Sequence, residues 1–166
     1  KKRGKFRFCK AVGWYIDEYN QAQVSINLTN YKKTSLHKVF EEVRKQARKR
    51  GVRVTGSEVV GLLPLQAMIN SGKYYLKLQN SSTGLPETDI IETASKSLGL
   101  SDIDKFNPLD KIIDFKISSE SKEFKNDSIT EFIDHISRPT PTPGGGSVSA
   151  LASALGASLS SMVANL

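Results

Sequence analysis

The amino-acid sequence predicts an α+β fold: helices on one face of an antiparallel or mixed sheet, followed by the first helices of an all-α bundle. Three observations predict this fold. Apolar residues alternate with period two from Lys5 to Leu28, amphipathic helical patterns follow from Ser35 onward, and small residues fill the segment from Val148 to Leu166. The patterns follow the order β-β-α-β-α with long stretches between, and helices are predicted from Ser128 onward.

The period-two segment predicts a β-hairpin. In its first strand, one face carries Val12, Trp14 and Ile16. In its second strand, the apolar row predicted to point inward is Ala22, Val24, Ile26 and Leu28. Because neighbouring residues of a strand point to opposite faces, the opposite face must carry Gln23, Ser25 and Asn27. The polar stretch at 17–21 supplies the turn.

Helices and extended segments alternate after the hairpin. Ser35 is the predicted N-cap of a helix that Gly51 ends, and Pro64 starts the next helix. A third helix is predicted from Glu87 to Leu98, closed by Gly99. A further strand is predicted from Val52 towards Pro64, and a last strand or extended element is predicted through Ile112, Ile113, Phe115 and Ile117.

The second half of the chain begins a different domain. A polar segment at 118–127 is the predicted linker between a domain at 1–117 and the start of another at 128–166. Ser128 is the predicted cap of a short helix that breaks before Pro139. The last helix follows the segment P-T-P-G-G-G-S, with Ser147 as its predicted N-cap and one apolar stripe formed by Leu151, Leu155, Leu159, Met162 and Leu166. Such a helix needs neighbours on several sides, so we expect the chain to be a fragment joining two domains.

Charge and cysteine content limit the classes of function. The net charge is +7, and residues 1–53 carry 15 basic against 4 acidic side chains. This basic half favours a polyanionic small molecule, a nucleic acid or an acidic partner, and a solvated lysine-rich face is the alternative. The single cysteine, Cys9, excludes an internal disulfide framework and predicts a reducing, cytoplasmic location. The serines and alanines of the last helix argue against membrane insertion, despite its length.

Polar residues at two places are candidates for binding. The row Gln23, Ser25 and Asn27 offers neutral donors and acceptors, which suit a heterocycle or an amide better than a phosphate. Glu58, within T-G-S-E-V-V-G-L-L-P (55–64), is placed to accept from a ligand amine or to act as an acid or base. The alternatives are a solvent-facing strand and a surface carboxylate.

The glycine-rich turn is a third candidate. Backbone amides at Gly144, Gly145, Gly146 and Ser147 would lie at a helix N-terminus, where they can hold a carboxylate or another anion. The turn lacks the lysine of a P-loop, which argues against nucleotide phosphate binding, and a flexible linker is the alternative. His37 and His135 are isolated and predicted to lie on helix surfaces, so no metal site and no catalytic triad are predicted.

The motifs together resemble two enzyme families. The stretch A-V-G-W-Y-I-D-E-Y-N-Q-A-Q-V-S-I-N-L-T-N (11–30), the helix after it and G-S-E-V-V-G-L-L-P (56–64) resemble the C-terminal subdomain of glutamate formiminotransferases. The segment at 132–163 resembles the start of formiminotetrahydrofolate cyclodeaminases, an all-helical family. The two activities occur fused in this order in formimidoyltransferase-cyclodeaminases, so the chain resembles the junction of that bifunctional family.

The resemblance implies a ferredoxin-like first domain and two successive reactions of histidine degradation and one-carbon metabolism. The first transfers a formimino group from N-formimino-L-glutamate to tetrahydrofolate, and the second closes it to 5,10-methenyltetrahydrofolate and releases ammonia. The resemblance further implies tetrahydrofolate, in some cases polyglutamylated, as substrate, with formiminoglutamate and no metal. Separately from the resemblance, the small-residue helix at the end of the chain favours a homo-oligomer, and no membrane attachment is expected.

The resemblance also assigns roles to residues. It implies that Gln23, Ser25, Asn27 and Glu58 face the folate cleft of the transferase, and that residues 144–147 lie near folate in the deaminase. In the family, the catalytic histidine belongs to an N-terminal subdomain. Neither His37 nor His135 lies in a matching motif, so no catalytic residue is assigned and we expect this chain alone to be inactive.

An RNA-binding α+β module is the alternative function. The segment R-G-K-F-R-F (3–8) is similar to the basic, aromatic strand of an RNA recognition motif, and the charge asymmetry fits. However, the spacing differs by one residue and no second aromatic strand accompanies it. The enzyme interpretation is therefore preferred, and nucleic acid is not an expected partner.

Overall fold

The computed structural model describes residues 4–118 and 127–166. Residues up to Asp114 form one compact unit, and residues from Phe115 onward form a second. The first unit combines a two-stranded antiparallel sheet with helices, which agrees with the predicted α+β class. The ferredoxin-like arrangement and the helical bundle stay predictions.

The predicted hairpin is confirmed. Strand β1 (Cys9–Ile16) pairs antiparallel with β2 (Gln21–Leu28), from Cys9 opposite Leu28 to Ile16 opposite Gln21. A single 3₁₀ turn at Asp17–Tyr19 and a left-handed Asn20, with φ of 50°, connect the strands. Asparagine tolerates this conformation better than most residues, so the turn chemistry agrees with the observed connection.

The prediction that one apolar row of β2 points into a core is wrong for its first half. Ile26 and Leu28 are half-buried, whereas Ala22 is exposed and Val24 is 48% exposed. The open end of the hairpin is tied to the loop that follows it, because Thr34 Oγ1 donates to Arg7 O. Within residues 4–118 and 127–166, the apolar side chains of β2 nearer the turn are thus left largely uncovered.

The three predicted helices of the first unit are confirmed. They are α1 (Leu36–Arg48), α2 (Leu65–Leu78) and α3 (Glu87–Leu98), and Gly99 ends α3 in the left-handed conformation at φ of 64°. Ser35 holds the N-cap position of α1 without a side-chain bond to a backbone amide. Its hydroxyl lies 3.2 Å from His37 Nε2 instead.

The core of the first unit lies where α2 and α3 pack together. The buried apolar side chains include Met68, Tyr75, Leu76, Ile90, Ile91, Ala94 and Leu98. The two helices come closest at Gly72, where a Cβ atom would lie 2.1 Å from the Ile90 carbonyl oxygen. Only a residue without a side chain allows this crossing.

The two additional strands predicted in the first unit are wrong. Residues 52–62 contain no strand. Leu63, the next residue, forms one isolated parallel bridge with Ile112. Two short helices lie on either side of Ile112: α4 (Pro108–Lys111) and α5 (Ile113–Ser118). Asn107 caps α4 by accepting from Leu109 N at 3.2 Å, and Pro108 is preorganised for a first helical turn. These local signals account for the start of α4, which precedes the predicted strand at 112–117.

The second unit contains α6 (Ile129–Ser137) and α7 (Gly145–Ala164). The predicted cap at Ser128 is confirmed as a full capping box with Glu131. The predicted cap at Ser147 is wrong, because α7 begins earlier and Gly144 holds the N-cap position. Most of the predicted linker, residues 119–126, lies outside the described residues.

Most of helix α7 is exposed in the second unit as described. The predicted apolar stripe is exposed at Leu151, Leu155, Leu159, Met162 and Leu166. By length and composition alone, this is also a helix that could cross a membrane. The second unit as described therefore contains no element that covers this apolar stripe.

Candidate functional site

The polar face of the hairpin places three of the predicted binding residues in a row. The strand register sets Gln23 opposite Trp14, Ser25 opposite Val12 and Asn27 opposite Lys10. Residues directly opposite each other in an antiparallel pair project to the same face. This face therefore carries one large aromatic ring, two amides and a hydroxyl side by side.

Glu58 joins this face although it lies 35 residues further along the chain. Gln23 Nε2 donates to Glu58 Oε1 at 2.9 Å. The segment around Glu58 is held at the end of α3, because Ser57 N donates to Gly99 O at 2.9 Å and Ser57 Oγ donates to Leu98 O at 2.6 Å. The structure thus brings Gln23 and Glu58 together, with Ser25 and Asn27 further along the same face.

Trp14 is the residue of this site that the sequence did not single out. Its ring is 47% exposed, a large fraction for the largest apolar side chain. The period-two pattern placed Trp14 on a face with Val12 and Ile16 but could not show which face of β2 lies beside it. The signal that sequence reasoning lacked is the position of Trp14 opposite Gln23, which is known only from the pairing of the two strands.

A cleft of the first unit lies away from this face. This open cleft of about 280 Å³ lies beside α2 and is lined by polar side chains of Gln66, Lys73, Glu87 and Asp114. None of the predicted binding residues lines it. Asp114 Oδ2 already accepts from Leu65 N at 2.7 Å, which gives that carboxylate a role at the start of α2. We therefore place the candidate site on the hairpin face.

The glycine-rich turn of the second unit presents bare backbone. A Cβ atom at Gly145 or Gly146 would meet nothing within 4 Å, and one at Gly144 would meet only Pro141 O at 3.4 Å. The first amides of α7 have no acceptor within the helix, so an anion or another backbone can approach them. Ser147 lies in this first turn instead of capping it.

The residues before this turn form a cleft of their own. A cleft of about 160 Å³ is lined by His135, Arg138, Thr140, Thr142 and Pro143. His135 Nδ1 lies 2.9 Å from Asp127 Oδ2, so this histidine has a carboxylate partner. Within residues 4–118 and 127–166, no three His, Cys, Asp or Glu side chains are grouped closely enough to hold a metal ion. The expectation that the protein needs no metal stays a prediction.

Comparison with known families decides the class of the chain. The model of the formiminotransferase domain matches residues 1–118, which include the hairpin and Glu58. The chain belongs to the formiminotransferase family. A second family model, formiminotransferase-cyclodeaminase, matches residues 128–166.

Curated relatives of this formiminotransferase-family chain match it along nearly its whole length. It is 42% identical to the formimidoyltransferase-cyclodeaminase of Dictyostelium discoideum over 162 residues, 96% of this chain and 30% of that protein. It is 36% identical to the Mus musculus protein of the same name over 165 residues, 98% of this chain and 30% of that protein. Over 77 residues, 46% of this chain and 26% of the relative, it is 43% identical to the glutamate formimidoyltransferase of Streptococcus pyogenes serotype M1. The chain thus spans about a third or less of these relatives.

His37 of this formiminotransferase-family chain is buried, so its predicted position on a helix surface is wrong. Its Nδ1 lies 3.4 Å from Ser71 Oγ, and its ring stacks on Tyr74 at 4.4 Å between centroids. Both partners belong to α2, so His37 joins α1 to α2. Burial lowers the pKa of His37, the Lys38 ammonium lowers it further, and the Glu41 carboxylate opposes them.

We expect this pKa shift to make the first unit less stable in mild acid. The unfolded chain has the ordinary histidine pKa of about 6.5 and takes up a proton more readily than the native state. The contribution of His37 is complete above that pH and is lost as the pH falls towards its lowered native pKa. The loss is at most about 1.4 kcal/mol per pH unit. Urea unfolding of the chain between pH 7.5 and 5 measures it.

His37→Gln provides the comparison, because an amide keeps hydrogen-bonding capacity and does not titrate. The variant is expected to have a flatter dependence of stability on pH than the unchanged chain, whatever its stability at pH 7.5. Identical pH dependence in both proteins would show that His37 does not carry the effect.

Proposed function

We propose that this chain joins the end of a glutamate formiminotransferase module to the beginning of a cyclodeaminase module in one longer folate enzyme. The observation that carries the proposal is the match of both family models, in this order, along a single chain. The relatives that match 96–98% of it are named for both activities. The proposed whole protein moves the formimino group of N-formimino-L-glutamate to tetrahydrofolate, and then forms 5,10-methenyltetrahydrofolate with release of ammonia.

The hairpin face is proposed as one wall of the tetrahydrofolate site of the transferase. Gln23, Ser25 and Asn27 supply neutral donors and acceptors, and Glu58 supplies a carboxylate acceptor beside them. Such groups can bind a neutral heterocycle through its ring nitrogens and amino groups without attracting phosphate. No residue of this chain is assigned to the chemical step, so residues 1–166 alone are proposed to be inactive.

The glycine-rich turn is proposed as part of the second folate site. Gly144, Gly145, Gly146 and Ser147 surround the N-terminus of a helix of 20 residues, where backbone amides and the helix dipole favour negative charge. A carboxylate of the folate glutamate tail has the required charge. The basic half of the chain would add diffuse attraction for polyglutamylated folate, since several carboxylates can pair with surface lysines.

The exposed apolar stripe of α7 supports a proposal about its surroundings. We infer that further helices of the cyclodeaminase module, and other copies in a homo-oligomer, cover this stripe in the whole protein. Its six serines make a bilayer a poor environment, so no membrane attachment is proposed. A cytoplasmic location is proposed from the single cysteine and stays untested.

RNA binding is the less favoured function for this chain. The comparisons give it no support, because every relative described above is named as an enzyme of formimino transfer. In the structure, strand β1 starts at Cys9, after the segment that was similar to an RNA-binding strand. Phe8 has a left-handed backbone with φ of 57°, so that segment is not extended there.

The proposed function predicts two coupled measurements on the full-length protein. Incubation with N-formimino-L-glutamate and tetrahydrofolate is expected to release glutamate, ammonia and methenyltetrahydrofolate in equal amounts. The segment 1–166 alone is expected to produce none of them. Moderate salt should change the tetrahydrofolate affinity little if neutral contacts to the ring dominate it. Tight RNA binding that weakens steeply with salt, without glutamate release, would contradict the proposal.

A further inference from the structure

Trp14, Gln23 and Glu58 lie next to one another on the hairpin face and form a more specific surface than a row of polar side chains. Trp14 and Gln23 are directly opposite each other in the hairpin, so their side chains lie side by side on one face. Gln23 Nε2 bonds Glu58 Oε1 at 2.9 Å, which places the carboxylate next to the same face. An exposed indole and a hydrogen-bonded amide–carboxylate pair therefore form one contiguous patch.

The chemistry of the pair determines which atoms are offered to a ligand. A carboxylate only accepts hydrogen bonds, so the NH₂ group of Gln23 must face Glu58 and its Oε1 must point away from that bond. Gln23 therefore presents an acceptor oxygen, and Glu58 keeps acceptor sites on its second oxygen. The patch combines a flat apolar ring with two neighbouring acceptors, one of them charged.

Such a patch selects a particular kind of ligand. A flat ring can stack on the indole, and its edge must carry adjacent N–H donors to match the acceptors. A carboxylate in this position repels phosphates and other carboxylates and favours an amidine-like or guanidine-like edge. The ring system of tetrahydrofolate has such an edge, formed by its 2-amino group and the neighbouring ring N–H.

We propose that Trp14 is the stacking platform for the reduced pterin ring, and that Glu58, oriented by Gln23, accepts from its 2-amino group and ring N–H. This inference rests on the proposed transferase function and deepens it. Glu58 then acts as a binding and specificity residue and takes no part in proton transfer. Gln23 is a positioning residue, because it holds the Glu58 carboxylate and contributes one acceptor.

The test measures the KM for tetrahydrofolate in the full-length protein, with glutamate release from N-formimino-L-glutamate as the readout of the first reaction. Trp14→Ala is expected to raise this KM about 5- to 100-fold, the range for stacking of a heteroaromatic ring on an aromatic side chain. Trp14→Phe should recover most of the loss, because it keeps a flat apolar ring. Glu58→Ala is expected to raise KM about 10- to 100-fold, the range for hydrogen bonds to a charged group.

A tetrahydrofolate analogue without the 2-amino group gives the sharpest result. The unchanged protein should bind this analogue far more weakly than tetrahydrofolate. Glu58→Ala should bind both with similar, weak affinity, because the interaction that distinguishes them is gone. If Glu58→Ala still discriminates between the two ligands as strongly as the unchanged protein, the proposed contact does not exist.

Two controls separate this inference from the proposed function. Val24→Ala removes an exposed apolar side chain from the other face of the same strand, and it should leave KM unchanged. Ammonia release from added 5-formiminotetrahydrofolate reports on the second reaction and should be normal in every hairpin variant. If Trp14→Ala and Glu58→Ala both have a normal KM for tetrahydrofolate in glutamate release, the inference alone is overturned. If the unchanged protein releases no glutamate, the proposed function is overturned as well.

Guanosine tests the assignment of the ligand. Its base has a similar amino and ring N–H edge, and it also has a flat ring. We expect guanosine to compete only weakly with tetrahydrofolate, because it offers the ring edge and none of the rest of the folate molecule. Competition as strong as that of tetrahydrofolate itself, and lost in Glu58→Ala, would show that the patch binds a guanine-type base and would overturn the pterin assignment.

Discussion

Gly72→Ala is expected to lower the free energy of unfolding of the first unit by about 3 kcal/mol, the upper end of the usual cost of overpacking. The added methyl carbon would lie 2.1 Å from the Ile90 carbonyl oxygen and 2.5 Å from Ile90 Cγ2. A backbone oxygen cannot rotate away, so α2 and α3 must separate and loosen the contacts of Met68 and Ala94. The gain in helix propensity from replacing glycine is only about 1 kcal/mol and does not compensate. Urea unfolding followed by circular dichroism measures the change.

Lys77→Ala is the matched control for Gly72→Ala, because it also introduces alanine into α2 but at an exposed position. It is expected to change the stability by no more than about 0.5 kcal/mol. Equal stability of the two variants would show that the close crossing at Gly72 is not required by the packing of α2 and α3.

Gly56→Ala is expected to disturb both stability and folate use. A Cβ atom there would lie 2.8 Å from Asp102 Cβ and 3.0 Å from Ile103 Cγ1, so the segment must move away from the end of α3. We expect a loss of about 2 kcal/mol in the free energy of unfolding. Because Ser57 anchors this segment and Glu58 follows it, Gln23 and Glu58 should separate. In the full-length protein, the KM for tetrahydrofolate in glutamate release is expected to rise.

Gly13→Ala is the control for Gly56→Ala. A Cβ atom at Gly13 in β1 would meet only Gln23 O at 3.8 Å, an ordinary contact. Its stability and its KM should stay close to those of the unchanged protein. An unchanged KM in Gly56→Ala, despite its lower stability, would show that the position of Glu58 does not depend on the contact between Gly56 and Asp102.

The sequence predicted part of the candidate site, and the tertiary structure was needed for the rest. Alternation within β2 was enough to predict that Gln23, Ser25 and Asn27 share a face, and the resemblance pointed to the same residues. Neither showed that Gln23 bonds Glu58, which lies 35 residues away, or that Trp14 stands opposite Gln23. The two isolated histidines gave no sequence signal that distinguishes the buried His37 from the half-exposed His135.

The sequence by itself determined the features that depend on neighbours within about four residues. These are the two hairpin strands, the presence of α1 to α3, the glycine that ends α3 and the cap at Ser128, because periodicity and capping act locally. The tertiary structure alone decided that residues 52–62 form no strand, that Ile113–Ser118 is helical, and that His37 is buried. A strand needs a partner, and a buried side chain needs a neighbouring element. The path of the whole chain supplies both, and no local pattern records that path.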